Sequence, residues 1–162
     1  MKDRPNLHPG GFSVRPIGVI STPFRTLADC PRNGRQLDPA PLCHVHVFAE
    51  FVPGLRCLDG FSHLILLYWL HEAGSPLLEL KPPFDGEVRG IFATRAPRRP
   101  NPIGLSVVAF DGFAADDTLK VRYLDCLDGT AVIDIKPYLP TTDAEPDARM
   151  GWLAPHATSR GA

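Results

Sequence analysis

Hydrophobic and polar residues alternate in several short runs of this chain, a spacing typical of half-buried β-strands. The run at residues 118–124 is one example, with apolar Leu119, Val121 and Tyr123 separated by polar residues. Residues 61–70 are apolar at nearly every position, which predicts a central strand buried on both faces. The remaining predicted strands cover residues 12–21, 44–51, 87–94, 103–112 and 130–135. Short strands with turn signals between them predict a mainly β domain, either a barrel or a sandwich.

Helical signals are few. Residues 55–58 have room for a single helical turn, and one short helix is predicted near residues 146–152. The proline-rich residues 22–43 show no sustained periodicity and predict a long loop, a feature that is often functional in compact domains. We expect one domain at residues 12–152, a flexible arm at residues 1–11 and a tail at residues 153–162.

Composition narrows the class of protein. The chain has 162 residues and a formal net charge of −1, so any nucleic-acid contact must come from a local basic patch. No apolar run reaches the roughly 18 residues that a membrane span needs, and the N-terminus lacks the apolar core of a signal peptide. We therefore expect a cytoplasmic protein, with its four widely spaced cysteines reduced and buried.

The strongest basic patch is a stiff stretch that we call the arginine loop, residues 95–102. It carries Arg95, Arg98 and Arg99 among three prolines, and no acidic residue occurs from residue 88 to residue 110. Because each proline restricts its own backbone and that of its predecessor, the loop has little conformational entropy to lose on binding. It suits an anionic or carboxylate-bearing ligand, but a rigid surface connection with solvated arginines fits the composition equally well.

Several nucleotide and hydrolase motifs are absent: G-x-G-x-x-G, the P-loop and G-x-S-x-G do not occur. His44 and His46 share one strand face, but no third zinc ligand lies at a suitable spacing, so we predict no metal site. The turn at residues 125–130 contains Asp125 and Asp128. It suits a small polar ligand or, as a simpler interpretation, a plain hairpin.

Taken together, six segments resemble the TsaA-like (YaeB/TrmO) family, and the resemblance spans about residues 13–152. The segments are Gly18-Val-Ile-Ser-Thr-Pro23, Pro31-Arg-Asn33, Leu58-Asp-Gly-Phe-Ser-His-Leu64, Gly90-Ile-Phe-Ala-Thr-Arg95, Arg99-Pro-Asn-Pro-Ile-Gly104 and Asp128-Gly-Thr-Ala-Val-Ile-Asp-Ile-Lys-Pro-Tyr-Leu-Pro140. The resemblance implies a small β-barrel, typically a dimer, that binds S-adenosylmethionine without a Rossmann fold. It also implies methylation of N6 of threonylcarbamoyladenosine beside the anticodon of tRNA.

The resemblance further implies which residues contact the cofactor, by matching motifs. They are Pro31, Arg32, Asn33, His71, Glu72, Arg95, Leu105, Asp125, Cys126, Leu127 and Asp128. Asn33 and Glu72 stand where the family has glutamines, and Glu72 adds a charge suited to the cofactor's ammonium or sulfonium. Residues left to meet the RNA are Arg98, Arg99 and Asn101. No catalytic base is assigned.

Two functions stay open: a tRNA methyltransferase, and a cofactor-binding regulatory protein of the same fold. The first predicts a basic surface near the arginine loop, whereas the second predicts that Arg98 and Arg99 are paired with acids. A third interpretation, a non-enzymatic oligonucleotide-binding barrel, requires exposed aromatic residues beside the basic loop. The aromatic residues are expected mostly in core strands.

Overall fold

A computed structural model describes residues 13–156 of the chain. Its strands are β1 (Gly18–Ser21), β2 (Cys43–Val47), β3 (His63–Trp69), β4 (Glu79–Leu80), β5 (Arg89–Gly90), β6 (Ile103–Ala115), β7 (Thr118–Arg122) and β8 (Ala131–Pro137). The one α-helix of the described range is α1 (Pro140–Asp143), and 3-10 turns cover Ala49–Leu55, Leu58–Gly60, Ile91–Ala93 and Gly151–His156.

Six strands form a closed barrel in the order β1-β2-β7-β6-β3-β8, with antiparallel neighbours throughout. The predicted mainly β fold with a single small barrel is therefore confirmed. The short strands β4 and β5 pair only with each other, in a separate two-stranded sheet. This small sheet lies in the chain immediately before the arginine loop.

The core fills the barrel with the inward side chains of alternating strand positions. Its fully buried members include Ile20, Val45, Leu64, Leu66, Val108, Leu119, Val121 and Val132. Burial of each such aliphatic side chain contributes about 1.5–3 kcal/mol. β3 alternates between buried and half-buried positions, so the prediction that it is buried on both faces is wrong. Its outer face is partly covered, since His63 packs against Tyr138 and Trp69 shares a groove with Val14 and Pro16.

Other differences from the sequence predictions follow from tertiary contacts. The predicted strand at residues 87–94 is extended only at Arg89–Gly90, because its partner β4 has two residues and Ile91 then turns into the interior. The predicted connection at residues 75–86 contains that partner strand. The strand predicted to end at residue 51 ends at Val47, where a 3-10 turn begins. The helix predicted near residues 146–152 is a 3-10 turn at Gly151–His156.

The four cysteines are free, and Cys43 and Cys126 are buried as predicted. Burial raises the pKa of the Cys43 thiol to about 11, which keeps it protonated at neutral pH. Cys57 is exposed and Cys30 is half-buried, so the expectation of buried thiols is wrong for these two. The predicted arm at residues 1–11 and most of the predicted tail lie outside the described residues. No helix of residues 13–156 is long and apolar enough to cross a membrane.

Candidate functional site

The barrel has an opening where β6 and β7 separate. β3 pairs with β6 from Ile103 to Ala109, but β7 joins β6 only from Ala109 onward. After β7 ends, Tyr123 adopts a left-handed backbone conformation with φ of 76°, which turns the chain away from β6. One side of residues 103–108 therefore has no strand partner in the described part of the chain. We call this side the open edge of β6.

Two arginines lie on the open edge. Arg95 donates from Nη2 to the carbonyl oxygen of Leu105 at 3.1 Å, and Arg35 donates from Nη2 to that of Val107 at 3.3 Å. The N–H and C=O of one residue point to the same side of an antiparallel strand, so the N–H groups of Leu105 and Val107 also face this edge. The open edge thus combines two guanidinium groups with backbone amides and the half-exposed Leu105 side chain.

The long loop between β1 and β2 reaches the same opening. Gly34 packs against the Tyr123 carbonyl so closely that any Cβ would collide with it, and the Arg35 guanidinium lies 3.8 Å from the centre of the Tyr123 ring. These contacts hold Pro31, Arg32 and Asn33 beside the end of β7. The Arg32 side chain forms no hydrogen bond or ion pair with the described residues, which leaves its charge available to a ligand.

Local hydrogen bonds stiffen this loop. The side-chain oxygen of Gln36 accepts the Arg32 N–H at 2.7 Å, and that of Asn33 accepts the Arg35 N–H at 2.9 Å. Burial, and after it the negative charge of Asp125, raises the pKa of the Cys30 thiol.

Asp125 is held at the end of the barrel by two buried hydroxyl groups. The Tyr68 hydroxyl donates to Asp125 Oδ1 at 2.6 Å, and the Ser106 hydroxyl lies 3.4 Å from the same oxygen. Tyr68 is 2% exposed, and burial followed by the Asp125 charge raises its pKa, so it remains a donor at neutral pH. The other Asp125 oxygen accepts no hydrogen bond from the described residues, and it is available to a ligand.

Gly104 makes this arrangement possible. It lies opposite Tyr68 in the β3–β6 register, and a Cβ at this position would collide with the Tyr68 ring. The ring therefore lies directly over the glycine, which lets its hydroxyl reach Asp125. Gly104, the glycine of the Pro-Ile-Gly segment, thus leaves the space in which the Tyr68 ring must lie to hold the Asp125 carboxylate.

The other residues of the turn at residues 125–128 make contacts within the fold. Cys126 and Leu127 are core residues, and the Cys126 carbonyl accepts the Thr22 hydroxyl at 3.1 Å. The Asp128 carboxylate accepts the Thr22 N–H at 3.0 Å and forms an ion pair with Arg25. Of the turn residues predicted to contact the cofactor, Asp125 is the one whose side chain retains a free polar atom in the described structure.

His71 and Glu72 lie in an exposed turn directly after β3. The preceding residue, Leu70, donates its N–H to the Pro102 carbonyl at 2.8 Å, which places this turn beside the end of the arginine loop. Neither side chain forms a hydrogen bond or ion pair within the described range. Both residues therefore lie near the end of the arginine loop, and their polar groups are available to a ligand.

The two remaining arginines of the loop bind backbone carbonyls. Arg98 donates from Nε to the Ser75 carbonyl at 2.9 Å, and Arg99 donates from Nη1 to those of Thr94 at 2.9 Å and Ile91 at 3.1 Å. Neither is paired with a carboxylate of residues 13–156. The pairing with acids that a regulatory protein predicts is thus not observed in the described structure.

Asn101, near the end of the arginine loop, lies on the outer face of the barrel. It borders a groove of about 510 Å³ whose other lining residues are Val14, Pro16, Trp69, Ile103, Ala131 and Ile133. Histidines 44 and 46 stack on the outside of β2 with ring centres 6.2 Å apart. No group of three or more potential metal ligands occurs among the described residues.

Arg35 and Tyr68 lie at the candidate site but are absent from the residues that the sequence analysis predicts. Tyr68 carried a weak signal, since a tyrosine within an apolar strand requires a partner for its hydroxyl. Arg35 carried none, because the open edge that it contacts arises only when β7 leaves β6 in the folded barrel.

Replacing Tyr68 with phenylalanine is expected to lower the free energy of unfolding by about 2 kcal/mol, because a buried hydrogen bond to a charged acceptor is lost. Urea denaturation measures the change. Tyr138→Phe is the matched control, since the Tyr138 hydroxyl makes no hydrogen bond with the described residues. Equal effects of the two variants would show that the Tyr68–Asp125 contact contributes nothing specific.

Comparison with known proteins shows which family the chain is similar to. Residues 19–144 match the model of the tRNA-methyltransferase O N-terminal domain. An S-adenosyl-L-methionine-binding protein of Archaeoglobus fulgidus is 45% identical over 130 residues, which cover 80% of this chain and 91% of that protein. The tRNA (adenine(37)-N6)-methyltransferase of Escherichia coli is 38% identical over 150 residues, covering 87% of this chain and 63% of the enzyme.

Solved structures agree with the sequence comparison. A crystal structure of TrmO superposes with a TM-score of 0.73 at 42% identity, covering 87% of this chain and 64% of that one. The chain spans as little as 37% of the length of a curated relative, a second Archaeoglobus fulgidus protein described as a probable S-adenosyl-L-methionine-binding protein.

Proposed function

The chain belongs to the tRNA-methyltransferase O N-terminal domain family, and on this premise we propose that it is an S-adenosylmethionine-dependent methyltransferase. The proposed acceptor is N6 of threonylcarbamoyladenosine beside the anticodon of tRNA. The observation that carries the proposal is the open edge of β6, where Arg95, Arg35 and Leu105 lie near the end of the barrel that holds Asp125.

The chemistry of these residues fits the cofactor. S-adenosylmethionine carries a carboxylate, an ammonium group, ribose hydroxyls and an adenine. The Arg95 guanidinium would bind the carboxylate, because its planar fork matches two carboxylate oxygens. The free oxygen of Asp125 would accept a hydrogen bond from the ammonium or a ribose hydroxyl. Leu105 would pack against the adenine, and the backbone N–H groups of the open edge would bind polar atoms of its rim.

Methyl transfer depends mainly on the positioning of the methyl donor and the acceptor nitrogen. Bound S-adenosylmethionine supplies an electrophilic methyl group on its sulfonium. Tyr68 and Ser106 hold the Asp125 carboxylate in one orientation, and the prolines hold the loop that carries Arg95. A rigid set of binding groups contributes to rate by fixing the two reactants at attacking distance. Glu72, exposed beside the arginine loop, would add a negative charge for the ammonium or the sulfonium.

The proposed partners are tRNA and a second copy of the chain, in the cytoplasm. Support for the RNA comes from Arg98 and Arg99, whose charges are not neutralised by carboxylates of the described residues. Support for the second copy comes from the apolar groove around Trp69 and Ile103 on the outer face of the barrel.

A methylation assay tests the proposal. The protein is incubated with S-adenosylmethionine and tRNA that carries threonylcarbamoyladenosine, and the digested nucleosides are analysed by mass spectrometry. We expect methylated threonylcarbamoyladenosine, and no product from tRNA that lacks the threonylcarbamoyl group. Cofactor binding in calorimetry without a methylated product, in the presence of competent tRNA, would favour the regulatory protein instead.

A further inference from the structure

One aromatic side chain stands out from the surface beside the arginine loop. Phe92 is 76% exposed, although its neighbour Ile91 is 1% exposed and anchors the same 3-10 turn in the interior. The turn therefore points one large apolar side chain inward and presents the next to solvent. The expectation that the aromatic residues lie mostly in core strands is wrong for Phe92.

The surroundings hold Phe92 on a rigid base. The Arg99 guanidinium lies 5.8 Å from the centre of its ring, fixed by hydrogen bonds to the carbonyls of Ile91 and Thr94. On the other side, the Trp152 indole donates to the carbonyl of Ala93 at 2.8 Å. Because these contacts already hold the ring in place, a ligand that stacks on it would lose little binding free energy to the ordering of the protein.

The charged residues that follow Phe92 in the chain are arginines, and the Asp85 carboxylate of the neighbouring hairpin is paired with Arg89. Arg95 follows three residues later, at most about 11 Å away along the chain, and Arg98 and Arg99 follow in the same loop. The next carboxylates along the chain are Glu87 and Asp111. An exposed aromatic ring beside arginines is an arrangement with which proteins bind unpaired nucleotides, where the ring stacks on a base and the cations contact phosphates.

We propose that Phe92 and Arg99 form a stacking platform for an unpaired base of the RNA, next to the nucleoside that is methylated. The inference rests on the proposed function, because it assigns the RNA contact of that site. An RNA fits this surface because Arg95, Arg98 and Arg99 form no ion pair with a carboxylate of the described residues, and phosphates supply the missing negative charge. Stacking also tolerates any base, so the platform would position the RNA without reading its sequence.

The test measures RNA affinity without the cofactor. The probe is a synthetic anticodon stem-loop that carries threonylcarbamoyladenosine, and its binding is followed by fluorescence anisotropy. Loss of one stacked base costs about 1–3 kcal/mol, so Phe92→Ala is expected to raise Kd by about tenfold or more. Phe92→Trp should keep the affinity within about threefold of the wild-type value, since tryptophan offers an equal stacking face.

Val88→Ala is the matched control, because Val88 is also strongly exposed, at 62%, in the neighbouring hairpin. Its Kd should stay unchanged. S-adenosylmethionine affinity of Phe92→Ala, measured by calorimetry, should match that of the wild type. Sedimentation of Phe92→Ala and wild type should give the same oligomeric state.

The outcomes separate this inference from the proposed function. Unchanged RNA affinity in Phe92→Ala, an equal loss of cofactor affinity, or a change of oligomeric state would overturn the platform and leave methylation standing. Failure of the wild-type protein to bind the stem-loop would overturn both. RNA binding that depends on Phe92, in a protein that transfers no methyl group, would support the platform and contradict the proposed activity.

Discussion

Replacing Arg95 with alanine is expected to weaken S-adenosylmethionine binding by about tenfold or more. The guanidinium lies on the open edge of β6, and a hydrogen bond between charged groups contributes about 1.5–3 kcal/mol. Calorimetric titration of the purified variant, without RNA, measures the change. Arg95→Lys should fall between alanine and wild type, because it keeps the charge but loses the planar fork.

Arg98→Ala is the matched comparison for this titration. It removes a guanidinium from the same loop, where Arg98 contacts the Ser75 carbonyl rather than the open edge. Its cofactor affinity is expected to stay within about threefold of the wild-type value, since a change on the surface acts weakly at a distance. Arg99→Ala is less suitable, because Arg99 also holds the loop backbone. Equal losses in Arg95→Ala and Arg98→Ala would contradict a specific role of Arg95.

Replacing Gly104 with alanine is expected to lower the free energy of unfolding by about 3 kcal/mol, and the Tm by about 10 °C. The new methyl group would collide with the buried Tyr68 ring, which the surrounding core prevents from moving freely. The ring would also be pushed off the contact through which its hydroxyl holds Asp125. Thermal and urea denaturation measure the loss of stability, and calorimetry should show weaker cofactor binding in the fraction that folds.

Gly60→Ala serves as the control, because an added Cβ there meets no atom within 4 Å. Its stability should change by less than about 1 kcal/mol. A double-mutant cycle then identifies the cause. In Gly104→Ala combined with Tyr68→Ala the ring is gone, so the double variant should be less destabilised than the sum of the single changes. Additive losses would show that the collision with Tyr68 is not the reason.

The strands that were predicted well are those whose pattern is local. β6, β7 and β8 begin or end within a few residues of the predicted bounds, because inward side chains recur at every second position. The strand predicted at residues 87–94 was wrong because its extent depends on a partner of only two residues. That partner, residues 79–80, lies in a proline-rich segment without alternation, so the pattern of residues 87–94 does not show where the pairing ends.

The residues of the candidate site likewise divide into those that the sequence predicts and those that only the folded chain reveals. Motif resemblance pointed to Arg95, Leu105 and Asp125, but it also pointed to Cys126 and Leu127, whose side chains the structure buries in the core. Arg35 and Tyr68 could not be found, since their roles depend on where β7 leaves β6 and on which hydroxyl faces Asp125. The assignment of cofactor contacts to the individual residues stays a prediction that the titrations above address.

The mainly β class, the stiffness of the arginine loop and the family can all be predicted from the sequence. Each of these follows from local features: alternation, proline geometry and contiguous motifs. The folded barrel is needed to show where the barrel opens, which arginines contact the open edge, which carboxylate oxygen is free and which aromatic ring faces solvent. These properties depend on strand register and on contacts between residues far apart in the chain, and those are decided by the packing of the whole barrel.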